Sequence, residues 1–266
     1  MSNIQPTLAQ IAIYPVKSLD GMVVERTQIS AGGALEYDRR WAIVDERGKV
    51  VNAKRTVKIQ QLRSQFNLVD RDRPMISLAT AADPTIYTFC LTTEPIALAR
   101  WLSQFFGFAV SLIENATHGF PDDPDAYGPT IISTATLKMV CGWFPGLDLD
   151  EARRRFRTNL EVSGVPAFWE DRLFGAPGAV VKFRVGEVEF EGINPCQRCI
   201  VPTRDSLSGA VSAKFQQIFS QQRQQTLPAE IHAARFNHFY RLALNTRIPR
   251  SEAGKLLMIG DVAIVY

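Results

Sequence analysis

Residues 179–205 read AVVKFRVGEVEFEGINPCQRCIVPTRD and combine a clear strand pair with two closely spaced cysteines. Apolar and polar residues alternate on both sides of a Gly-Glu pair at 186–187, which is typical of a β-hairpin with a two-residue turn. Cys196 and Cys199 follow the second arm of that hairpin. This stretch therefore predicts a β-rich fold and places the cysteine pair just beyond the end of a strand.

The first half of the chain also predicts mainly strands. Short runs with strand-like alternation fill the sequence up to about residue 92, and they include a hairpin across residues 41–51. Helical spacing of apolar residues appears at 92–107, with Thr93 as the predicted N-cap and Gly107 as the C-terminal stop. Together these patterns indicate a strand-rich α+β fold with a barrel-like first half.

A segment rich in acids and prolines, residues 120–130, is typical of a linker between two domains. Beyond it, Asp148 and Glu151 form a capping-box pattern that predicts a helix, and strands and helices alternate irregularly. The regular βαβ alternation of a doubly wound sheet is absent. We therefore predict a β-barrel-like domain at residues 1–120 and a second one, with interspersed helices, at 128–266.

The composition does not favour a nucleic-acid or membrane partner. The chain of 266 residues has 30 basic and 27 acidic side chains, a net charge of +3, without the concentrated basic face of nucleic-acid-binding domains. No apolar run approaches the roughly 20 residues of a membrane-spanning helix. The first ten residues lack the regions of a secretory signal, so we expect a cytoplasmic protein whose four cysteines are mostly reduced.

Two cysteines at this spacing fit four kinds of site. A structural zinc site needs four ligands, whereas the histidines at 118, 232 and 238 are scattered singly. A thioredoxin-like redox pair opens a helix, and Pro202 interrupts any helix after Cys199. A cysteine nucleophile needs a histidine close in space, which the sequence leaves open. In the fourth kind of site, one thiolate binds a soft metal that a cofactor also holds.

Four motifs, in order along essentially the whole chain, carry a resemblance to a known family. They are YPVKSLDG at 14–21, YDRRW at 37–41, RFRTNL at 155–160 and CQRCIVPTRD at 196–205. Together they resemble the MOSC family, in which an N-terminal β-barrel domain, here 1–120, precedes the MOSC domain, here 128–266. Within that family the chain is most similar to the mitochondrial amidoxime-reducing component and to bacterial relatives that reduce N-hydroxylated compounds.

The resemblance implies a molybdenum cofactor, a molybdopterin whose metal takes one further sulfur from the protein. Cys199, in the pattern Arg-Cys-Ile, matches the family's metal ligand, and the adjacent Arg198 would favour its thiolate form. Asp205 is either a proton donor near the metal or an acid that stabilises a turn. The pterin phosphate needs cationic, hydroxyl or amide donors. The residues that match cofactor-binding positions are Lys17, Ser18, Arg39, Ser133, Thr134, Arg157, Asn159, Arg198 and Cys199.

The implied function is the reduction of small N-hydroxylated compounds by oxygen transfer to molybdenum. Some bacterial relatives carry a fused ferredoxin with a C-x4-C-x2-C run, which this sequence lacks. Electrons are therefore expected from a separate ferredoxin, flavoprotein or cytochrome b5-like reductase. The alternative is a sulfur-carrier or cofactor-handling protein that uses a Cys199 persulfide.

Lys17 and Arg39 precede the predicted boundary whereas Arg157 and Cys199 follow it, so we expect the cofactor where the domains meet. The arginines at 153–155 are expected on a solvated helix face.

Overall fold

The computed structural model of the protein describes residues 5–229 and 231–266. These residues form fifteen strands, four α-helices and five short 3-10 helices. The strands of the first half are β1 (Thr7–Ile13), β2 (Met22–Val24), β3 (Arg26–Gln28), β4 (Trp41–Asp45), β5 (Leu62–Asn67), β6 (Met75–Thr80), β7 (Tyr87–Cys90) and β8 (Val110–Glu114). The strands of the second half are β9 (Ile131–Ser133), β10 (Leu160–Ser163), β11 (Val181–Val185), β12 (Val188–Gln197), β13 (Arg241–Arg247), β14 (Leu256–Met258) and β15 (Ala263–Val265). The α-helices are α1 (Pro95–Phe106), α2 (Thr134–Gly142), α3 (Leu149–Phe156) and α4 (Phe215–Gln225), and the 3-10 helices cover Val57–Gln61, Trp169–Leu173, Val201–Thr203, Ala233–Arg235 and Arg250–Glu252.

One eight-stranded sheet joins the beginning of the chain to its second half. Its strand order is β15-β11-β12-β13-β9-β10-β1-β2. Strand β1 pairs antiparallel with β10, with Ile11 opposite Leu160, and with β2 on its other side. Backbone hydrogen bonds also join residues 6–8 to residues 260–263, so the β15 end of the sheet returns to the start of β1. The sheet therefore curls toward a barrel and places the end of β1 beside the start of β10.

Three smaller sheets complete the first half. Strand β4 pairs with β8, β5, β6 and β7 form an antiparallel meander, and β3 pairs with β14. Helix α1 contributes the buried residues Leu98 and Leu102 to the main apolar core. The helix ends at Gly107, whose φ of 81° lies in the left-handed region that glycine adopts without strain.

A second apolar cluster packs the helices of the second half together. Phe156 of α3 and Phe215 and Phe219 of α4 are its largest buried members. The rings of Phe156 and Phe219 lie 5.9 Å apart between centroids, within the range of favourable aromatic pairs. This cluster fixes the end of α3, from which residues 157–159 run toward β1.

The structure confirms the β-rich α+β class and several local predictions. Strands β11 and β12 form the predicted hairpin, with Val185 opposite Val188. The turn after β4 is confirmed by the pairing of Val44 with Val50, and Asp148 caps α3 by accepting the backbone N–H of Glu151.

Other local predictions are wrong or fall partly outside the described residues. The N-cap of α1 is Glu94, not Thr93, because Pro95 occupies the first helical position. From sequence, AEIHAARF at 229–236 also predicts a helix; residue 230 lies outside the described residues, and the described part contains only a 3-10 turn, Ala233–Arg235. We also expected no secretory signal in residues 1–10. The first four of these residues lie outside the described residues.

The division into domains at residues 120–128 stays a prediction, because β1 and β2 belong to the same sheet as β9 to β13. Among the described residues, no helix has the length and apolar character needed to cross a membrane.

Candidate functional site

A cavity of about 670 Å³ lies between the end of β1, the residues that precede β10 and the residues that follow β12. Its volume is within the range of small-molecule sites, about 300–1,000 Å³. The sequence-predicted site residues that the structure brings together on its walls are Lys17, Ser18, Arg39, Arg157, Asn159, Arg198 and Cys199. Residues separated by more than a hundred positions thus share one cavity, because β1 pairs with β10.

Lys17 is a cation whose ion-pair partner, Asp122, is exposed to solvent. Its Nζ donates to the carbonyls of residues 120 and 121 at 2.8 and 3.1 Å and forms an ion pair with Asp122 at 2.9 Å. Desolvation disfavours the charge on Asp122, but the cations of Lys17 and Arg39 outweigh it and lower the pKa of Asp122 to about 2. The Asp122 side chain is 73% exposed, so water screens this pair and an incoming anion can replace the carboxylate.

The ring of Tyr14 holds two of the predicted arginines together. The guanidinium carbon of Arg157 lies 4.2 Å from the ring centroid and that of Arg39 lies 5.0 Å away, both within cation–π distance. The Tyr14 hydroxyl donates to the carbonyl of Thr158 at 3.2 Å. Burial raises the pKa of Tyr14, although Arg157 and Arg39 oppose this effect, so the phenol stays protonated. Tyr14 thus fixes the cationic wall, a role that the sequence analysis missed although Tyr14 begins the YPVKSLDG motif.

Asn159 connects β1 to the same wall. Its Oδ1 accepts hydrogen bonds from the backbone N–H of Thr130 at 3.1 Å and from Arg39 at 3.3 Å, and its Nδ2 donates to the carbonyl of Ala12 at 3.0 Å. Arg39 also pairs with the buried carboxylate of Asp38. Asn159 is only 2% exposed, and its Oδ1 and one of its two Nδ2–H groups are engaged with the protein. Its position therefore indicates that it holds Arg39 in place rather than contacting a ligand directly.

The two cysteines of the CxxC motif lie at the end of β12 and just beyond it. Both line the cavity, both are partly exposed, and both are free thiols. Within residues 5–229 and 231–266, no group of three or more His, Cys, Asp or Glu side chains is arranged to hold a metal, so a zinc site built by the protein alone has no ligand set there. After Cys199 comes the 3-10 helix Val201–Thr203 rather than an α-helix, which removes the geometry of a thioredoxin-like pair.

Arg198 points its guanidinium at Cys196, not at Cys199. Its Nη1 lies 3.2 Å from the Cys196 sulfur, and its Nη2 donates to the carbonyl of Phe156. Burial lowers the pKa of Arg198, but Cys196 and Cys199 outweigh this effect and the pKa is raised overall. The expectation that Arg198 favours the thiolate form of Cys199 stays a prediction, since its direct contact with a sulfur is with Cys196.

Several donors around the cysteine pair have no partner in the described part of the chain. They are the buried Nε groups of Arg198 and Arg241 and the buried hydroxyl of Tyr240. Buried polar groups without partners are uncommon and destabilising, and a bound ligand or water often explains them. Arg198 and Arg241 line the cavity, so these orphaned donors fit a site for an anionic molecule.

Two predicted cofactor contacts, Ser133 and Thr134, do not reach this cavity. Ser133 is fully buried at the N-cap of α2, where its hydroxyl accepts the backbone N–H of Thr136 at 3.0 Å. Thr134 donates to Glu161 at 2.7 Å. Their hydroxyls thus organise the β9–α2 junction, and their positions do not support direct contact with a ligand in the cavity.

Asp205 also lies outside the cavity lining, and its contacts are those of a turn. Its Oδ1 accepts the backbone N–H groups of Leu207 and Ser208 at 3.1 and 2.8 Å and the Ser208 hydroxyl at 2.7 Å. The bonds from Ser208 lower the pKa of Asp205. A proton donor needs a raised pKa, so of the two readings of Asp205 the geometry supports the turn-stabilising acid.

The cavity is more cationic than the motifs alone indicate. Eight basic side chains line it, against three carboxylates: Lys17, Arg39, Lys54, Arg155, Arg157, Arg198, Arg235 and Arg241, with Asp38, Asp122 and Asp123. The expectation that Arg155 lies on a solvated face is wrong, because its side chain is 9% exposed and pairs with Glu151 at 2.6 Å. No local sequence pattern predicts the burial of Arg155, because this burial depends on the packing of α4 against α3.

Two family models match consecutive parts of the chain. Residues 5–108 match the MOSC N-terminal beta barrel domain, and residues 131–247 match the MOSC domain. The chain therefore belongs to the family of MOSC-domain proteins.

Its curated relatives include molybdenum cofactor sulfurases and an amidoxime-reducing component. Molybdenum cofactor sulfurase of Drosophila grimshawi is 27% identical over 74% of this chain and 28% of its own length, and that of Drosophila yakuba is 26% identical over 98% and 35%. Mitochondrial amidoxime-reducing component 1 of Homo sapiens is 25% identical over 78% of this chain and 69% of its own length. The chain thus spans about a third of the length of the sulfurases that it matches.

Proposed function

We propose that this chain binds a molybdenum cofactor and reduces the N–O bond of small N-hydroxylated compounds. The observation that carries the proposal is that Cys199 lines the same cavity as Lys17, Arg39 and Arg157. A soft thiolate suits molybdenum, and the cations suit the phosphate of a pterin. The relative Mitochondrial amidoxime-reducing component 1 supports the choice of reaction.

The side chains of the cavity are suited to an anionic cofactor. The Ser18 hydroxyl makes no hydrogen bond within the described residues, and Arg157 uses only one donor nitrogen, Nη2, in a bond to the carbonyl of Leu19 at 2.6 Å. Lys17 is held by carbonyls and by the exposed Asp122, which a phosphate can displace. Free donors from both halves of the chain therefore remain for phosphate and pterin oxygens.

When bound, the cofactor supplies a metal that takes up the substrate oxygen and exchanges two electrons. Cys199 would be the protein ligand of that metal, while Arg198 orders the neighbouring Cys196 through a 3.2 Å contact with its sulfur. Asp122, with its pKa of about 2, stays ionised near neutrality and is unsuited to donate a proton.

The proposal includes a separate electron donor, a ferredoxin, flavoprotein or cytochrome b5-like reductase, and the cytoplasm as the compartment. Four free cysteines support a reducing compartment. The second candidate function is a sulfur carrier in which Cys199 takes a persulfide. It is supported by the likeness to the molybdenum cofactor sulfurases, which covers up to 98% of this chain.

Metal and pterin analysis of protein made in a molybdenum-competent host tests both candidates. The expected result is close to one molybdenum and one pterin phosphate per chain, lost in Cys199→Ala and retained in Cys196→Ala. The matched control is Cys141→Ala, since Cys141 lies outside the cavity lining. Molybdenum that survives Cys199→Ala contradicts the proposal, and transferable sulfane sulfur on Cys199 without molybdenum establishes the carrier instead.

A further inference from the structure

A second cavity of about 420 Å³ lies against the first one and has a different chemical character. Ser18, Arg157 and Val201 belong to the walls of both cavities. Neither cysteine of the CxxC motif lines the second cavity, so a ligand there does not need Cys199 or a metal. Its volume alone is sufficient for a small organic molecule.

One side of the second cavity is apolar. Met22 and Val23 of β2, Ile59 and Leu62 near β5, and Leu207 contribute to this side. Val23 is 60% exposed and Leu207 is 47% exposed. An apolar chain or ring placed here would remove both side chains from water, at about 25 cal/mol for each Å² buried.

The other side carries three guanidinium groups that have no carboxylate partner in the described part of the chain. Arg63 donates to the carbonyls of Gln60, Leu62 and Leu207 at 2.6 to 2.7 Å. Arg204 donates to the carbonyl of Ala53 at 2.8 Å, and Arg157 to that of Leu19 at 2.6 Å. Their hydrogen bonds go to carbonyl oxygens and orient the side chains, and Arg157 also lies against the ring of Tyr14, so none of the three guanidinium groups forms an ion pair with a carboxylate in the described part of the chain.

The neighbouring arginines of α3 show that this arrangement is specific. Arg153 pairs with Glu161 at 2.9 Å, and Arg154 and Arg155 pair with Glu151 at 3.1 and 2.6 Å. They line the same cavity but are already neutralised. Burial lowers the pKa of Arg157; Arg39 also lowers it, whereas the Tyr14 phenol and the carboxylates of Asp20 and Asp122 act in the opposite direction.

Gln60 adds a second observation that indicates a ligand. It is 9% exposed and lines the second cavity, and its Oε1 has no hydrogen-bond partner among the described residues. Its Nε2 donates to the carbonyl of Asp205 at 3.3 Å, which fixes the orientation of the amide. A buried acceptor without a partner is destabilising, and a donor on a ligand or on its bound water would satisfy it.

We propose that the second cavity is a binding site for a small amphiphilic anion, a carboxylate or phosphate monoester joined to a short apolar chain or ring. The anionic head binds between Arg63, Arg157 and Arg204, and the apolar part packs against Val23 and Leu207. The inference does not require the molybdenum cofactor, because no metal takes part and Arg157 is the one head-group residue that the second cavity shares with the proposed cofactor site.

Isothermal titration calorimetry on the full-length protein tests this site. The probes are octanoate and octyl phosphate, which distinguish a carboxylate from a phosphate head, and octanol and inorganic phosphate, which carry only one half of the chemistry each. At least one amphiphilic anion is expected to bind with one site per chain, at least tenfold more tightly than octanol or inorganic phosphate. Arg204→Gln and Arg63→Gln should each weaken this binding about tenfold, the effect of losing one charge-assisted hydrogen bond.

Control variants separate the second cavity from the first one. Arg184→Gln, at an exposed position of β11, and Cys199→Ala should leave the affinity for the amphiphilic anion unchanged, and thermal unfolding of each variant establishes that it is folded. Three results would overturn the inference. They are octanol binding as tight as octanoate binding, an unchanged affinity in a folded Arg204→Gln or Arg63→Gln variant, and the absence of saturable binding at millimolar concentrations. A loss of affinity in Cys199→Ala also overturns it, because the probe would then occupy the first cavity. Failure of the molybdenum assay would leave this result untouched.

Discussion

Replacing Glu170 with glutamine is expected to remove a large part of the pH dependence of this protein's stability. Glu170 is 1% exposed, and its Oε2 accepts the backbone N–H of Ser133 at 3.2 Å and the hydroxyl of Thr136 at 3.1 Å. Its Oε1 has no partner in the described part of the chain. Burial, with a further contribution from the neighbouring Asp171, raises the pKa of Glu170 to about 7.

The size and sign of the effect follow from this pKa. Between pH 4.5 and about 7 the folded protein keeps the proton on Glu170, whereas the unfolded chain has lost it. The folded state then binds more protons, so the free energy of unfolding falls as the pH rises. The interval corresponds to about 3 kcal/mol at about 1.4 kcal/mol per pH unit, and the loss is complete above pH 7. Below pH 4.5 the side chain is neutral in both states and contributes no such loss.

Urea unfolding of the wild type and of Glu170→Gln at several pH values between 5 and 8 measures this difference. Glutamine keeps the oxygen that Ser133 and Thr136 contact but stays neutral, so the variant should gain up to about 3 kcal/mol relative to the wild type between these limits. Glu25→Gln, at an exposed position of the loop between β2 and β3, serves as the control. A stability difference between Glu170→Gln and wild type that stays constant from pH 5 to pH 8 would refute the reasoning.

Two further substitutions test the buried cations. Arg223→Leu leaves the carboxylate of Asp171, now paired with it at 2.5 Å, buried without a partner, so the free energy of unfolding should fall by about 3–5 kcal/mol in urea titrations; a loss below about 1 kcal/mol would show that Asp171 escapes to water. Tyr14→Leu should lower the same quantity by about 2 kcal/mol through the loss of two cation–π contacts and a hydrogen bond, and Tyr14→Phe by about 1 kcal/mol. Equal stabilities of the Leu and Phe variants would mean that the ring does not hold Arg39 and Arg157.

The sequence predicted those features that depend on neighbouring residues. The β11–β12 hairpin requires only an alternating pattern around a short turn, and the Asp148 cap requires only the backbone of the next few residues. The turn role of Asp205 was also readable, because Asp followed by Ser and Gly is typical of side-chain-capped turns. Local chemistry therefore accounts for most of the correct assignments.

Features that depend on distant pairing were not readable. The contact of Tyr14 with Arg157 exists because β1 pairs with β10, and no local pattern encodes that register. Ser133 was assigned to a ligand because it matches a Ser-rich strand end of the family that the chain resembles, whereas its hydroxyl caps α2, which begins at the next residue. Seven of the residues predicted from the motifs line one cavity. Packing decides which of them have free hydrogen-bond donors.

The continuity of the eight-stranded sheet restricts how a ligand enters the first cavity. Residues on both walls extend from strands of the same hydrogen-bonded network, with β1 held between β2 and β10. A rotation of one half of the molecule away from the other would break the pairing of β1 with β10 at Ile11 and Leu160. It would also break the hydrogen bond from Asn159 to the carbonyl of Ala12. Access must therefore depend on side chains and loops at the rim, such as the screened pair of Lys17 and Asp122, and not on a hinge between lobes.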